Sequence, residues 1–100
     1  MTIHHAIARV DLLHPNDLSV DVKIRLLSDL DKKIMVEIIG KDVDDEKPLY
    51  DRYTDRNTEL LVPFPFDDIY IKYIAAMISG KIWFDSFNSY RDYYERKCGV

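Results

Sequence analysis

A small, mainly α-helical domain is the fold class this sequence predicts, and three observations predict it. Apolar residues recur at three- and four-residue spacing over most of the chain. Caps and breakers stand where those runs begin and end. Only one short stretch carries the aromatic and β-branched pattern of strands. The 100 residues fit one domain, 1–100, and 47% hydrophobic with 32% charged residues is a globular composition. A chain this short folds alone with little margin, so oligomerisation can add burial.

The first helix is expected over residues 2–13. Thr2 can cap it, Ile3, Ala6, Ile7, Val10 and Leu13 form one apolar stripe, and His14-Pro15 stops it because the residue before proline avoids helical geometry. Asn16-Asp17 turns the chain. Ser19 then caps a second helix, with Asp21 facing the positive end of its dipole. Val20, Ile24, Leu27, Leu30, Ile34 and Ile38 line its apolar side, and Leu26, Met35 and Ile39 widen it. Lys23, Arg25, Asp29, Asp31, Lys32, Lys33 and Glu37 occupy much of the rest, and Gly40 sits where a left-handed C-cap belongs.

A charged loop follows over residues 41–48. In residues 50–62, Tyr50, Tyr53 and Leu60-Leu61-Val62 flank the turn-rich Thr54-Asp55-Arg56-Asn57, which predicts a short β-hairpin or extended segment packed on the helices or on a neighbour. Pro63-Phe64-Pro65-Phe66 reads as extended. Asp67 or Asp68 then caps a third helix running to about Lys97. About thirty residues of helix measure about 45 Å, against about 26 Å for the diameter of a compact domain this size, so the helix is expected to project or bend. Tyr70, Tyr73, Met77, Gly80, Phe84, Phe87, Arg91 and Tyr94 follow the spacing of a helix–helix seam. Trp83, Phe84, Phe87, Tyr90, Tyr93 and Tyr94 spread over more than one face, more than one small core needs, which marks a partner surface. The expectation is thus three helices, the last of them long, with one hairpin before it. There is no internal repeat or low-complexity tract.

Composition and motifs narrow the chemistry. A net charge of -4 with no dense Lys/Arg run argues against gripping nucleic acid. The single cysteine, Cys98, permits no intrachain disulfide and suits a reducing cytoplasm. No secretory leader or membrane-length apolar run is visible. His4 and His5 diverge by about 100° on a helix, and His14 has no partner ligand at helical spacing. Asp42-Val43-Asp44-Asp45-Glu46 lacks the glycine and distal glutamate of an EF-hand loop. No serine stands in a nucleophile elbow, and Gly40, Gly80 and Gly99 are too far apart for a phosphate-cradling loop. The expectation is a non-enzyme with no cofactor and no metal.

The order of local phrases goes further. Ala8-Arg9-Val10-Asp11 leads into His14-Pro15-Asn16. Lys23-Ile24-Arg25-Leu26-Leu27-Ser28-Asp29-Leu30-Asp31 and Glu37-Ile38-Ile39 follow. Thr58-Glu59-Leu60-Leu61-Val62-Pro63, Phe66-Asp67-Asp68-Ile69-Tyr70 and Phe87-Asn88-Ser89-Tyr90 complete the series. This series resembles the head-to-tail connector (portal adaptor, neck) proteins of phages and prophages of Gram-positive bacteria, over residues 7–94. It departs most at Ser79-Gly80-Lys81-Ile82-Trp83-Phe84, where that family is richer in Tyr, Asn and Ala.

The resemblance implies a helical virion protein that assembles as a ring below the portal protein, extends the DNA channel and docks the next neck, head-completion or tail component. DNA would pass without specific binding, and no membrane would be involved. The protein would sit in the virion neck, and in the host cytoplasm during assembly. The alternative is a small adaptor or regulatory protein that binds a protein partner through its aromatic C-terminal helix, without a ring. The expected protein-interface residues are Tyr50, Tyr53, Leu60, Trp83, Phe84, Phe87, Tyr90 and Tyr94, with Phe87→Asp expected to block assembly and leave the fold helical.

Overall fold

A computed structural model describes residues 1–97; Cys98 lies outside the described residues. Four α-helices are found among them: α1 (Ile3–Leu13), α2 (Val20–Ile34), α3 (Ile69–Ser79) and α4 (Phe84–Lys97). A single π-helical turn, Met35–Ile39, prolongs α2. The all-α class therefore holds, while the long third helix and the hairpin do not.

The first two helices follow the sequence closely. Thr2 Oγ1 accepts the His5 N–H (3.0 Å) and Ser19 Oγ the Val22 N–H (3.1 Å), so both caps satisfy donors that have no partner inside the helix. Asn16 closes the turn between them: its Oδ1 accepts the Leu18 N–H (3.0 Å) and its Nδ2 donates to the His14 carbonyl (2.8 Å). Gly40 ends the π-helical turn at φ 82°, the left-handed conformation glycine adopts without penalty. Ile3, Ala6, Ile7 and Val10 of α1 meet Ile24, Leu27, Leu30 and Ile34 of α2 and Ile69, Tyr70, Ile71 and Ile74 of α3 in one core. Leu13 departs from the expected stripe and is half exposed. Lys23 and Asp31, expected on the polar face, are both buried. The Lys23 ammonium reaches the Asp11 carboxylate, and that bond holds Asp11 below the usual carboxylate range.

The third helix is two helices because Gly80 adopts φ 71° and caps α3, its N–H donating to the Ala76 carbonyl (2.7 Å). The chain then reverses. The Trp83 carbonyl accepts the Ser86 N–H (3.1 Å) and the Phe87 N–H (3.4 Å) at the start of α4, and the Trp83 ring sits edge-on to Tyr73 (4.7 Å). This puts α4 against α3 and the π-helical turn. The described residues span 41 × 27 × 22 Å, so no 45 Å rod projects. Asp68 stands at the N-cap position of α3, as expected, but its side chain makes no capping hydrogen bond. Asp68 pairs with Lys72 (3.1 Å), one helical turn on, and Asp67 takes the Met1 amine (3.2 Å). Pro63 to Phe66 is not extended but a turn, closed by the Phe66 N–H on the Pro63 carbonyl (2.9 Å), with the Phe64–Pro65 bond cis.

No strand forms between α2 and α3; the single bridge there joins Thr2 and Glu59. The segment instead gives its hydrogen bonds to the helices. The Ile3 and His4 N–H groups, free at the start of α1, donate to the Thr58 (3.1 Å) and Arg56 (2.9 Å) carbonyls. Ser28 Oγ accepts the Leu49 (2.8 Å) and Tyr50 (3.3 Å) N–H groups. Asp31, 0% exposed, accepts from the Tyr50 hydroxyl (2.6 Å), the Tyr70 hydroxyl (2.6 Å) and the Leu61 N–H (3.2 Å). The Tyr70 hydroxyl in turn accepts the Val62 N–H (2.8 Å). Tyr50, Leu60 and Val62 bury their side chains in the helical core.

Burial pushes the Asp31 carboxyl above the ordinary range, against the pull of its three donors. Burial and then the Asp31 charge push both tyrosine hydroxyls up as well. A raised folded-state pKa means that the folded chain holds a proton the unfolded chain has released. Stability from this group therefore grows as pH falls from the folded-state pKa toward 3.8, its ordinary value. Urea titrations of wild type and Asp31→Asn across that range should differ by a term of that sign, while the opposing Asp11 term cancels between them. Tyr70→Phe, which removes one donor and one acceptor from the buried cluster, should lower stability by about 1–3 kcal/mol at neutral pH.

Candidate functional site

The fold separates the eight expected interface residues into two kinds. Tyr50, Leu60, Phe87 and Tyr90 are buried in the protomer's own core, Phe87 to 1% exposure. This corrects their expected place on the surface. The physical reason is the reversal at Gly80: folded back, α4 can cover aromatics that a projecting helix would have left bare. Phe66 sits against Tyr93 (4.6 Å between centroids) and Tyr90 (5.7 Å), and Trp83 lies edge-on to Phe87 (5.8 Å). The Arg91 guanidinium (4.9 Å) and the Lys33 ammonium (5.4 Å) lie over the Phe87 ring. Phe87→Asp would therefore place a charge in the core and unfold the chain rather than act on assembly alone.

Tyr53, Phe84, Trp83 and Tyr94 remain at least partly on the surface. Tyr53 is 86% exposed and Phe84 53%, while Trp83 and Tyr94 are half-buried. Trp83 stacks on Phe84 at 4.2 Å, and Ile82, 78% exposed, precedes them. Met77, in the last turn of α3 before the reversal, is half exposed as well. Phe64 is a further large apolar side chain on the surface. Sequence reasoning passed over Ile82, Met77 and Phe64 as surface candidates. Ile82 and Phe64 sit outside any helix, which follows once Gly80 and the two prolines are taken as terminators.

Residues 51–58, Asp-Arg-Tyr-Thr-Asp-Arg-Asn-Thr, hold a two-unit repeat too short to suggest a repeat architecture. Each unit is a turn of the same build. Thr54 N–H donates to the Asp51 carbonyl (3.1 Å), and Thr58 N–H to that of Asp55 (3.0 Å). Asp51 Oδ1 accepts the Tyr53 N–H (2.9 Å) and Asp55 Oδ1 the Asn57 N–H (2.8 Å). Asx turns of this kind need an aspartate or asparagine at the first position of each unit, and this chain has an aspartate at both. They leave Arg52, Tyr53, Arg56 and Asn57 exposed on the two crests.

Beside the double turn, an open cleft of about 430 Å³ runs between the outer face of α2 and residues 45–52. Val22, Pro48 and Tyr50 contribute its apolar surface, and Asp29, Asp45 and Glu46 stand among its charged lining. His4 and His5 are exposed on α1, and His14 is its C-cap. Among the described residues no group of three or more His, Cys, Asp or Glu side chains is placed to hold a metal ion. No helix among them is long and apolar enough to cross a membrane.

The division between buried and exposed aromatics is measurable. Phe87→Ala should lower the unfolding free energy by about 3–5 kcal/mol, a large part of the about 5–15 kcal/mol typical of a domain. Tyr53→Ala, which empties no core, should change it by about 0.5 kcal/mol or less. Denaturant unfolding followed by circular dichroism distinguishes the two.

Comparison of the chain with protein-family models, with curated proteins and with solved structures gives no match.

Proposed function

We propose that this chain is a head-to-tail connector subunit of a phage or prophage virion, acting by self-association and by binding a portal ring rather than by catalysis. One observation carries the reading beyond the sequence resemblance. A compact helical protomer leaves large apolar side chains uncovered in several places, among them Leu12 and Leu13 at the end of α1, Tyr53 and Phe64 on the segment between α2 and α3, and Met77, Ile82 and Phe84 around the turn from α3 to α4. A ring subunit needs two different patches that meet head to tail. The net charge of -4 is consistent with a channel through which DNA slides without being held. In this reading the free faces of the ring meet the portal on one side and the next neck or tail component on the other, in the virion neck.

The test is binding of the purified chain to the portal protein encoded beside it, read by sedimentation and negative-stain microscopy. A stoichiometric ring seated on the portal is the expected outcome. Absence of binding, with both proteins shown to be folded, would transfer the reading to a small adaptor that meets its partner without a ring. A band shift with duplex DNA at physiological salt is expected to be negative.

A further inference from the structure

The turn that sends α4 back over α3 rests on one backbone conformation. Gly80 holds the left-handed geometry, and its torsion alone calls for glycine, since a Cβ built there would meet nothing within 4 Å. Lys81, Ile82 and Trp83 complete the turn, and none of them is a helix breaker. No side-chain hydrogen bond reaches residues 80–83 among the described residues. The α1–α2 turn, by contrast, is tied by Asn16 to the His14 carbonyl and the Leu18 N–H. With a helical φ at Gly80, α3 would run on into α4 as one helix of about thirty residues, about 45 Å long.

Helix α4 is held to the rest of the fold by a single face. Among its described residues only Phe87 and Tyr90 are buried. The surface that receives this face is built from Phe66, Lys33 and Glu37. The Phe66 ring meets Tyr90 (5.7 Å) and Tyr93 (4.6 Å), the Lys33 ammonium lies over Phe87 (5.4 Å), and a Glu37 oxygen lies 3.8 Å from the Arg91 guanidinium. What covers this surface is visible in the closed chain: a helix with the sequence of α4. The α4 of another copy satisfies the same contacts equally well. The turn itself leaves Ile82 78% exposed, a large apolar side chain that the closed chain does not cover.

We infer that α4 is exchanged between copies. In a pair of chains, α3 and α4 straighten through Gly80 into one helix, and the α4 of each chain seats on the Phe66, Lys33 and Glu37 surface of the other. Exchange keeps the contacts of the closed chain and brings the two turn segments together, where Ile82 is covered. It loses the freedom of one chain relative to the other. Swapping of identical elements about a short hinge is a low-cost route to a dimer. The inference concerns how copies meet and does not depend on the connector reading.

Two measurements test it. In analytical ultracentrifugation, Gly80→Ala should dimerise about a hundredfold more tightly than wild type, because each of the two hinges trades a disfavoured left-handed alanine for a favoured helical one. Gly80→Asn, which tolerates the left-handed cap, should behave as wild type does. The second measurement locates the contact. In a Cys98→Ser background, a Glu37→Cys chain is mixed with an Arg91→Cys chain at millimolar concentration and treated with a short bismaleimide. Crosslinked dimers should form in the mixture and not from either chain alone, since only exchange brings Glu37 of one copy to Arg91 of another. The same crosslink, at lower yield, is expected with Gly80 intact as with Gly80→Ala, so an alanine variant that failed to fold would not remove the test. A folded Gly80→Ala chain that stays monomeric at millimolar concentration, Ala and Asn variants that dimerise equally, or no crosslink specific to the mixture would overturn the exchange. None of these outcomes bears on the connector reading, which is decided by binding to the portal.

Discussion

The buried Asp31 carboxylate is the constraint around which the rest of the structure is arranged. An ionised carboxylate with no partners in an apolar core costs many kcal/mol, and it persists only when its oxygens are satisfied. Here three donors meet it, and they come from widely separated parts of the sequence: Tyr50, Leu61 and Tyr70. Tyr50 and Leu61 flank the double turn, and Tyr70 lies in the first turn of α3. One side chain on α2 thus closes a loop at both of its ends and ties that loop to the next helix. Ser28, one turn earlier on the same face, accepts the backbone N–H groups of Leu49 and Tyr50. A connecting segment with no strand partner would otherwise leave those groups buried and unpaired.

This arrangement explains why no hairpin forms. A hairpin would spend the N–H groups of Tyr50, Leu61 and Val62 on a second strand. The fold spends them on Ser28, Asp31 and the Tyr70 hydroxyl, while Tyr50, Leu60 and Val62 enter the helical core. The carbonyls of Arg56 and Thr58 cap α1. The segment is therefore a strap whose exposed crest, residues 51–58, is held from both sides. A rigid crest is a better binding element than a floppy one, because its ordering cost falls on folding and not on association.

Much of the helical framework was legible in the sequence. Thr2, Ser19 and Gly40 mark ends by local chemistry alone, and the stripes of α1 and α2 follow from spacing. Gly80 was ambiguous for a physical reason. In a helix interior glycine costs about 1 kcal/mol against alanine, a cost that packing can offset, whereas as a C-cap it terminates the helix. The aromatics on both sides fit either outcome, and the choice fell to tertiary packing. Asp31 and Lys23 looked like solvated charges because periodicity cannot show that a partner will arrive from the strap or from α1. Of the double turn only Thr54-Asp55-Arg56-Asn57 was legible as turn chemistry; the matching Asp-Arg-x-Thr of residues 51–54 was missed, because four residues are too few to stand out as a repeat.

The reversal at Gly80 also decides which aromatics remain to meet a partner. A continuous helix would have exposed Phe87 and Tyr90, and the surface would have been one broad aromatic face. Folding back consumes those two rings in the protomer core and leaves Phe84, Ile82 and Met77 exposed around the turn from α3 to α4. The strap makes a parallel division: Tyr50 goes to Asp31 and the core, and Tyr53, three residues on, goes to solvent. In both places the rings taken into the core are unavailable for binding, while large apolar side chains a few residues away in the chain stay exposed. Binding candidates in such a small domain are found by first assigning the residues that the core requires, because with so little interior the core takes the best-placed aromatics for itself.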